Sequence, residues 1–340
     1  MTTLVALATK DALVLGCDSL GTTTKELIDP VDLLGFFDGN DDFKLKRDQN
    51  GAPMLTDFNK VVQKAKSVPF THMTHMTKIF SLSQLNAGIM ITGISSIGDR
   101  TIKSLIEDFN KTGTRSKKME GMSYIKSTGQ RFLDFLVDYY DKEYHEYKNP
   151  PYLECILGGY DKRSPIPEVV RIKFPKKVVE DTLTIQGSPF GIVFGGQMKE
   201  IQRIVFGTDV RNIFKIKARH IELLRKYREK MNKLLQEKNP EVLLPELGVA
   251  ELEEIDMFSD KWDLTGFDAN WGDFSEQNAI ECVNFFVNVM IKSQQFSYGM
   301  PTVGGEVHIA LITKEDGFRF VSKEEYSHEG HYVPKEKDGH

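Results

Sequence analysis

Cysteine is scarce in this chain, with only Cys17, Cys155 and Cys282 among 340 residues. Three widely separated thiols argue against a disulfide framework and fit a reducing compartment. No apolar run reaches the roughly 18 residues a membrane-spanning helix needs, so no membrane partner is expected. No block of Lys and Arg stands out, and the formal net charge is −5, which argues against general nucleic-acid binding. The first residues lack the charged start and apolar core of a secretory signal, so a cytoplasmic protein is expected. What is present is ordinary for a globular chain: 40% hydrophobic and 27% charged residues, enough to build a packed core.

The second residue is the most informative. Met1-Thr2-Thr3-Leu4-Val5 opens a strand, and Met before a small residue such as Thr is generally removed in the cytosol. Thr2 would then carry a hydroxyl and a free α-amine on one residue. A hydroxyl needs an adjacent base to become a nucleophile, and a terminal amine with a pKa of about 8 serves that purpose. Thr2 to Ala8 and Ala12 to Gly16 read as the arms of a hairpin turning at Lys10. Residues whose numbers sum to about 20 then face one another, which sets Asp18 opposite Thr2 to within one or two positions.

Farther on, residues 22–77 lose periodicity and read as a long insertion with local structure. Lys78 to Leu82 and Ala87 to Gly93 form a second predicted hairpin. Helical spacing is legible from Ser95 to Asn110 and from Ser123 to Tyr147. Strands are expected at Tyr152 to Tyr160, Glu168 to Phe174, Thr182 to Ile185 and Gly191 to Phe194. A short helix (Met198 to Phe206) and a charged one (Ile216 to Glu237) precede an irregular acidic and aromatic stretch. Ser275 is the expected N-cap of a helix to about Ser293. Gly305 to Ile312 and Phe318 to Val321 close the pattern around Asp316-Gly317. The order strands, helices, strands predicts an α+β fold with helices segregated against antiparallel sheet. One domain over residues 1–325 is expected, with insertions at about 22–77 and 213–274 and a polar tail at 326–340.

Thr2-Thr3-Leu4-Val5-Ala6 followed by Val14-Leu15-Gly16-Cys17-Asp18-Ser19 resembles the start of proteasome β-type subunits and their bacterial relatives, which are N-terminal-nucleophile (Ntn) hydrolases. Thr77-Lys78-Ile79 looks like that family's catalytic lysine strand, and Met90-Ile91-Thr92-Gly93 like its oxyanion-glycine strand. Leu157-Gly158-Gly159-Tyr160-Asp161, Ser188 to Gly196 and Gly304 to Ile309 resemble its later motifs in the same order. The resemblance implies a four-layer αββα sandwich and a threonine-type hydrolase that needs Met1 removed. Thr2 would be the nucleophile and its α-amine the base. Lys78 would lower the pKa of the attacking hydroxyl, Asp18 would hold Lys78, and the Gly93 N–H would stabilise the oxyanion. Three positions depart from the family pattern. Gly195 stands where an assisting serine is usual, Leu20 replaces the usual arginine, and no Asp-x-x-Ser precedes the final Gly-Gly. Gln294, Gln295 and Phe296 occupy that approach, with Thr302 the nearest hydroxyl.

The implied activity is a threonine peptidase of proteasome β type acting on a peptide or protein substrate. A transpeptidase or small-amide hydrolase using the same Thr2 is the alternative, as is a non-catalytic assembly subunit that keeps Met1. A homo-oligomer is expected by the same resemblance, whose members assemble into stacked rings; nothing identifies an ATP-dependent unfoldase partner. No cofactor or metal is expected. His72 and His75 lack further ligands at a metal-binding spacing. Gly195-Gly196 lacks the following Lys and hydroxyl of a phosphate loop. Lys215 to His220 reads as a solvated helix face, and His328, His331 and His340 as surface residues. Cys17 should point away from Asp18 into the core.

Overall fold

The first two strands are apolar on both faces because both faces are covered. β1 (Thr3–Ala8) and β2 (Leu13–Asp18) are buried at every position. The two-residue side-chain period divides them between two cores. Leu4, Ala6, Leu13, Leu15 and Cys17 enter one apolar cluster, whereas Val5, Leu7 and Val14 enter another. The structure is a computed structural model that describes residues 2–27, 49–50, 66–82, 85–112, 121–161, 164–181, 189–207, 210–238 and 269–323.

The β1–β2 hairpin turns one step later than the sequence reading placed it. Leu4 pairs with Cys17 and Ala8 with Leu13, so paired numbers sum to 21. The cause lies in the turn. The Thr9 hydroxyl accepts the N–H groups of Asp11 and Ala12 at 3.2 and 3.1 Å, while the Thr9 N–H donates to the Ala12 carbonyl at 2.8 Å. A threonine-capped loop of residues 9–12 thus replaces a tighter turn at Lys10.

β3 (Gly21–Leu27) and β4 (Lys66–Met73) form a separate antiparallel ribbon, which is the described part of the insertion expected at 22–77. β5 (Ile79–Leu82) and β6 (Ala87–Gly93) follow as the predicted hairpin. β7 (Ser96–Ile97) and β8 (Arg100–Thr101) then make a small corner with Gly98 at φ 57°. That corner delays helix α1 to Ile102–Thr112, later than the start expected at Ser95. α1 buries Ile102, Leu105, Ile106 and Phe109, an amphipathic stripe at helical spacing.

Helix α2 (Tyr124–Tyr144) begins where the Ser123 hydroxyl accepts the Lys126 N–H. β9 (Leu153–Tyr160), β10 (Pro167–Phe174), β11 (Val178–Asp181) and β12 (Gly191–Gly196) come next. The strand expected at Thr182 to Ile185 lies outside the described residues. Helix α3 (Lys199–Val205) is short, and helix α4 (Val210–Lys238) starts earlier than the expected Ile216. After a 3-10 turn at Trp271–Asp273 come α5 (Glu276–Gln295), β13 (Val307–Thr313) and β14 (Gly317–Ser322). Most of the insertion expected at 213–274 beyond α4, and the tail at 326–340, fall outside the described residues.

Two five-stranded antiparallel sheets result. One runs β12-β1-β2-β13-β14 and the other β11-β10-β9-β6-β5. Leu4, Leu15 and Ala310 of the first share an apolar cluster with Ile79, Met90 and Ile156 of the second. α5 places Val283, Phe286, Val287 and Met290 in a cluster with β1, β2 and β13 residues. Phe109 of α1 and Phe132 and Leu136 of α2 pack with Ile89, Leu157 and Ile172 of the second sheet. The chain is therefore mixed α+β, with helices covering sheet faces as the element order implied. No helix among the described residues is long and apolar enough to cross a membrane.

Candidate active site

Asp18 ends β2 at the point where the chain leaves the first sheet, and it is fully buried. A buried carboxylate must find donors, and this one finds four. Its Oδ1 accepts the Thr3 N–H at 2.9 Å, and its Oδ2 accepts those of Gly304 at 3.1 Å and Leu20 at 3.3 Å. The fourth is the Lys78 ammonium, 3.0 Å from Oδ1. With side-chain exposures of 7% and 0%, Lys78 and Asp18 form a desolvated pair held by geometry rather than by solvent. Lys78 also donates to the Leu20 carbonyl at 2.7 Å. Among the described residues this leaves one of its three N–H groups for the cleft it borders.

That cleft encloses about 90 Å³, room for one side chain rather than a drug-sized ligand. Thr2, Lys78 and Gly93 all line it, with Thr22, Met73 and Met76 among the other walls. Thr2 is only 5% exposed, and its carbonyl accepts the Gln197 N–H at 2.7 Å. Strand β12 thereby fixes the residue from one side, since Thr3 pairs with Gly196. Asp18 stands level with Thr3, one position from Thr2 and within the one or two positions expected, and its carboxylate accepts the N–H of Thr3. The one-residue shift of the hairpin accounts for the difference, and it puts the carboxylate behind Thr2 and beside Lys78.

The backbone around Gly93 requires glycine. Its φ is 104°, and a Cβ there would lie 2.2 Å from the Tyr152 carbonyl oxygen. Only glycine meets both conditions. The structure thus brings Thr2, Asp18, Lys78 and Gly93 together: three on the cleft wall and the fourth directly behind.

Leu20, where the family resemblance would place arginine, is buried, and its backbone serves the site through its N–H to Asp18 and carbonyl to Lys78. Near Thr2, the Gln197 amide donates to the Thr302 hydroxyl at 2.8 Å, and Gln294 donates to Gln197 at 3.1 Å. Neutral amides therefore stand beside Thr2 and β1, in the region where the sequence showed no Asp-x-x-Ser.

Sequence reasoning missed Glu154. It is 2% exposed, forms an ion pair with Arg171 Nε at 2.9 Å, and accepts from the Gly196 N–H at 3.2 Å and from the Tyr152 hydroxyl. Burial and the Glu154 carboxylate both push the Tyr152 phenol upward in pKa. A signal was present: Glu154 interrupts a strand that is otherwise apolar, and Arg171 sits on the neighbouring strand. In the observed register Arg171 opposes Ile156, so Glu154 and Arg171 share a face at diagonal reach.

Cys17 lies in the core, as expected, and burial raises its thiol pKa strongly. No group of three or more His, Cys, Asp or Glu among the described residues could hold a metal ion.

No protein-family model matches the chain, and no match was found among curated proteins. Two solved structures with a partial likeness are an Anbu (Gly-1) mutant from Hyphomicrobium sp. strain MC1 and Anbu (ancestral beta-subunit) from Yersinia bercovieri. Each is 9% identical with a TM-score of 0.44. The alignments cover 95% of this chain and 86% of the first, and 94% and 87% for the second. The chemistry must therefore be read from the site itself.

Proposed function

We propose that the protein is an N-terminal-threonine hydrolase of the Ntn type, with a proteasome β-like αββα arrangement of its helices and sheets. The observation that carries this reading is the convergence of Thr2, Lys78 and Gly93 on one cleft, with Asp18 clamping Lys78 from behind. Removal of Met1 would free the α-amine of Thr2. The amine then takes the hydroxyl proton as Thr2 Oγ attacks the carbonyl carbon of a peptide bond. The Lys78 charge stabilises the developing alkoxide, and the Gly93 N–H faces the tetrahedral oxyanion. The C–N bond breaks, the proton passes to the leaving nitrogen, and an ester on Thr2 remains. Water deacylates that ester with the amine again as base.

The substrate is a peptide or protein whose one side chain fills the cleft, and the enzyme is a cytoplasmic homo-oligomer. Transfer of the acyl group to an amine is the competing outcome of the same intermediate. Intact mass of the purified protein tests the first step, because retained Met1 blocks the amine and sinks the proposal. A β-lactone probe should then add one acyl group to Thr2. Thr2→Ala should lower amide turnover by at least about 10⁴-fold while circular dichroism stays unchanged. Activity within tenfold of the parent would rule out Thr2 as nucleophile.

A further inference from the structure

The Glu154 carboxylate joins the two sheets, and its partners lead toward the residues that line the cleft. One is the N–H of Gly196 at 3.2 Å. Gly196 pairs with Thr3 and has φ 68°; a Cβ there would lie 2.0 Å from the Thr2 carbonyl oxygen. It is thus pressed against the backbone of the nucleophile. A second partner is the Tyr152 hydroxyl. The carbonyl of Tyr152 accepts the Ile94 N–H at 3.1 Å and lies behind Gly93. The third is Arg171, paired at 2.9 Å, which also donates to the Phe194 carbonyl of β12 at 2.5 Å. Every contact of this carboxylate leads to β12 beside Thr2 or to the turn that presents Gly93.

Gly195 completes the picture. A Cβ at that position would meet Glu154 Cδ and Oε1, both at 3.1 Å. A side chain such as serine at 195 would therefore sit tight against the Glu154 carboxylate, which would have to give by a few tenths of an ångström. The glycine that looked like a loss in the sequence is the position that leaves room for a buried charge.

We propose that Glu154 is a positioning residue that sets the distance between the Thr2 strand and the Gly93 turn, with Arg171 and Tyr152 as its orienting partners. This rests on the reading of Thr2 and Gly93 given under the proposed function. Glu154 does not touch substrate; it acts through Gly196 on one side and Tyr152 on the other. A carboxylate suits the task because one oxygen accepts from Gly196 and Tyr152 while the other pairs its charge with Arg171, whereas a glutamine loses that ion pair.

Two readouts test the proposal, and one does not depend on catalysis. In Glu154→Gln and Tyr152→Phe, amide hydrogen exchange should accelerate at least about tenfold at residues 93–95. In Glu154→Gln alone it should also accelerate at residues 194–197, while residues 283–291 of α5 keep their protection. In the same variants, acylation of Thr2 by a β-lactone probe should show a maximal rate lowered by about 10- to 100-fold, with the half-saturating concentration changed less than threefold. Glu154→Asp, which keeps the charge on a shorter arm, should fall between the parent and Glu154→Gln. Unchanged exchange at both segments overturns the proposal, whether or not the parent reacts with the probe. Accelerated exchange with an unchanged acylation rate overturns it as well. If the parent itself fails to label at Thr2, the nucleophile reading fails, and the exchange measurement alone decides whether Glu154 holds the two segments together.

Discussion

At the scale of single residues, the burial of Asp18 and Lys78 is unequal in its consequences. Among the described residues Asp18 has three backbone N–H partners besides the ammonium, whereas Lys78 has only the Leu20 carbonyl besides the carboxylate. Removing Asp18's charge strands an ammonium with one neutral acceptor; removing Lys78 leaves a carboxylate that still holds three donors. Asp18→Asn should therefore destabilise by about 3–5 kcal/mol and Lys78→Met by clearly less, measured by urea unfolding. The double variant should be more stable than Asp18→Asn alone, since it removes the stranded charge. Equal losses in the two single variants would contradict this asymmetry. Both should lose Thr2 acylation, because each removes the positive charge from the cleft or its anchor.

Helix α5 shows how elements place the site. Its face of Val283, Phe286, Val287 and Met290 packs on β1 and β2, the strands that carry Thr2 and Asp18. The helix starts at Ser275, whose hydroxyl accepts the Asn278 N–H at 3.2 Å. Ser275→Ala should cost about 1 kcal/mol of stability, as lost N-caps do, and leave the site's chemistry intact. Thermal unfolding reads the first effect and probe labelling of Thr2 the second. The sequence made this helix, its cap and its buried face legible because helical spacing and a capping serine are local signals. It placed the start of α1 too early because the β7–β8 corner forms by pairing across Gly98, which no period reveals.

The whole molecule responds to pH through its buried thiols. Cys17 and Cys155 are completely enclosed, and burial pushes both pKa values well above the ordinary thiol range; Cys282 is pushed up to about 11. In the unfolded chain these thiols ionise near their usual pKa of about 8.5. Above that pH the unfolded state binds fewer protons than the native state, so stability falls as pH rises. Each fully buried thiol contributes a slope of about 1.4 kcal/mol per pH unit there. Urea unfolding between pH 8 and 10 should show the decline, and a Cys17→Ala, Cys155→Ala variant should show a shallower one. An equally steep decline in that variant would remove the thiols as its cause.

By itself the sequence determined the α+β class, the amphipathic helices and the buried strands, and it singled out Thr2, Asp18, Lys78 and Gly93. The class, the elements, Thr2 and Asp18 were readable because side-chain period, caps and residue order are properties of the chain alone, whereas Lys78 and Gly93 came from the family resemblance. Tertiary structure decided what lies behind those residues. The Thr9-capped turn shifted the hairpin, so Asp18 holds Thr3 rather than facing Thr2. Gly93 owes its identity to φ and to the Tyr152 carbonyl, a contact made only when β6 and β9 pair. Glu154 and Gly195 are related only because two sheets stack, which sets the carboxylate where a Cβ at 195 would meet it at 3.1 Å. The last two relations join residues 59 and 41 positions apart through packed space, where the free energy of burying a charge is settled by partners that no local pattern names.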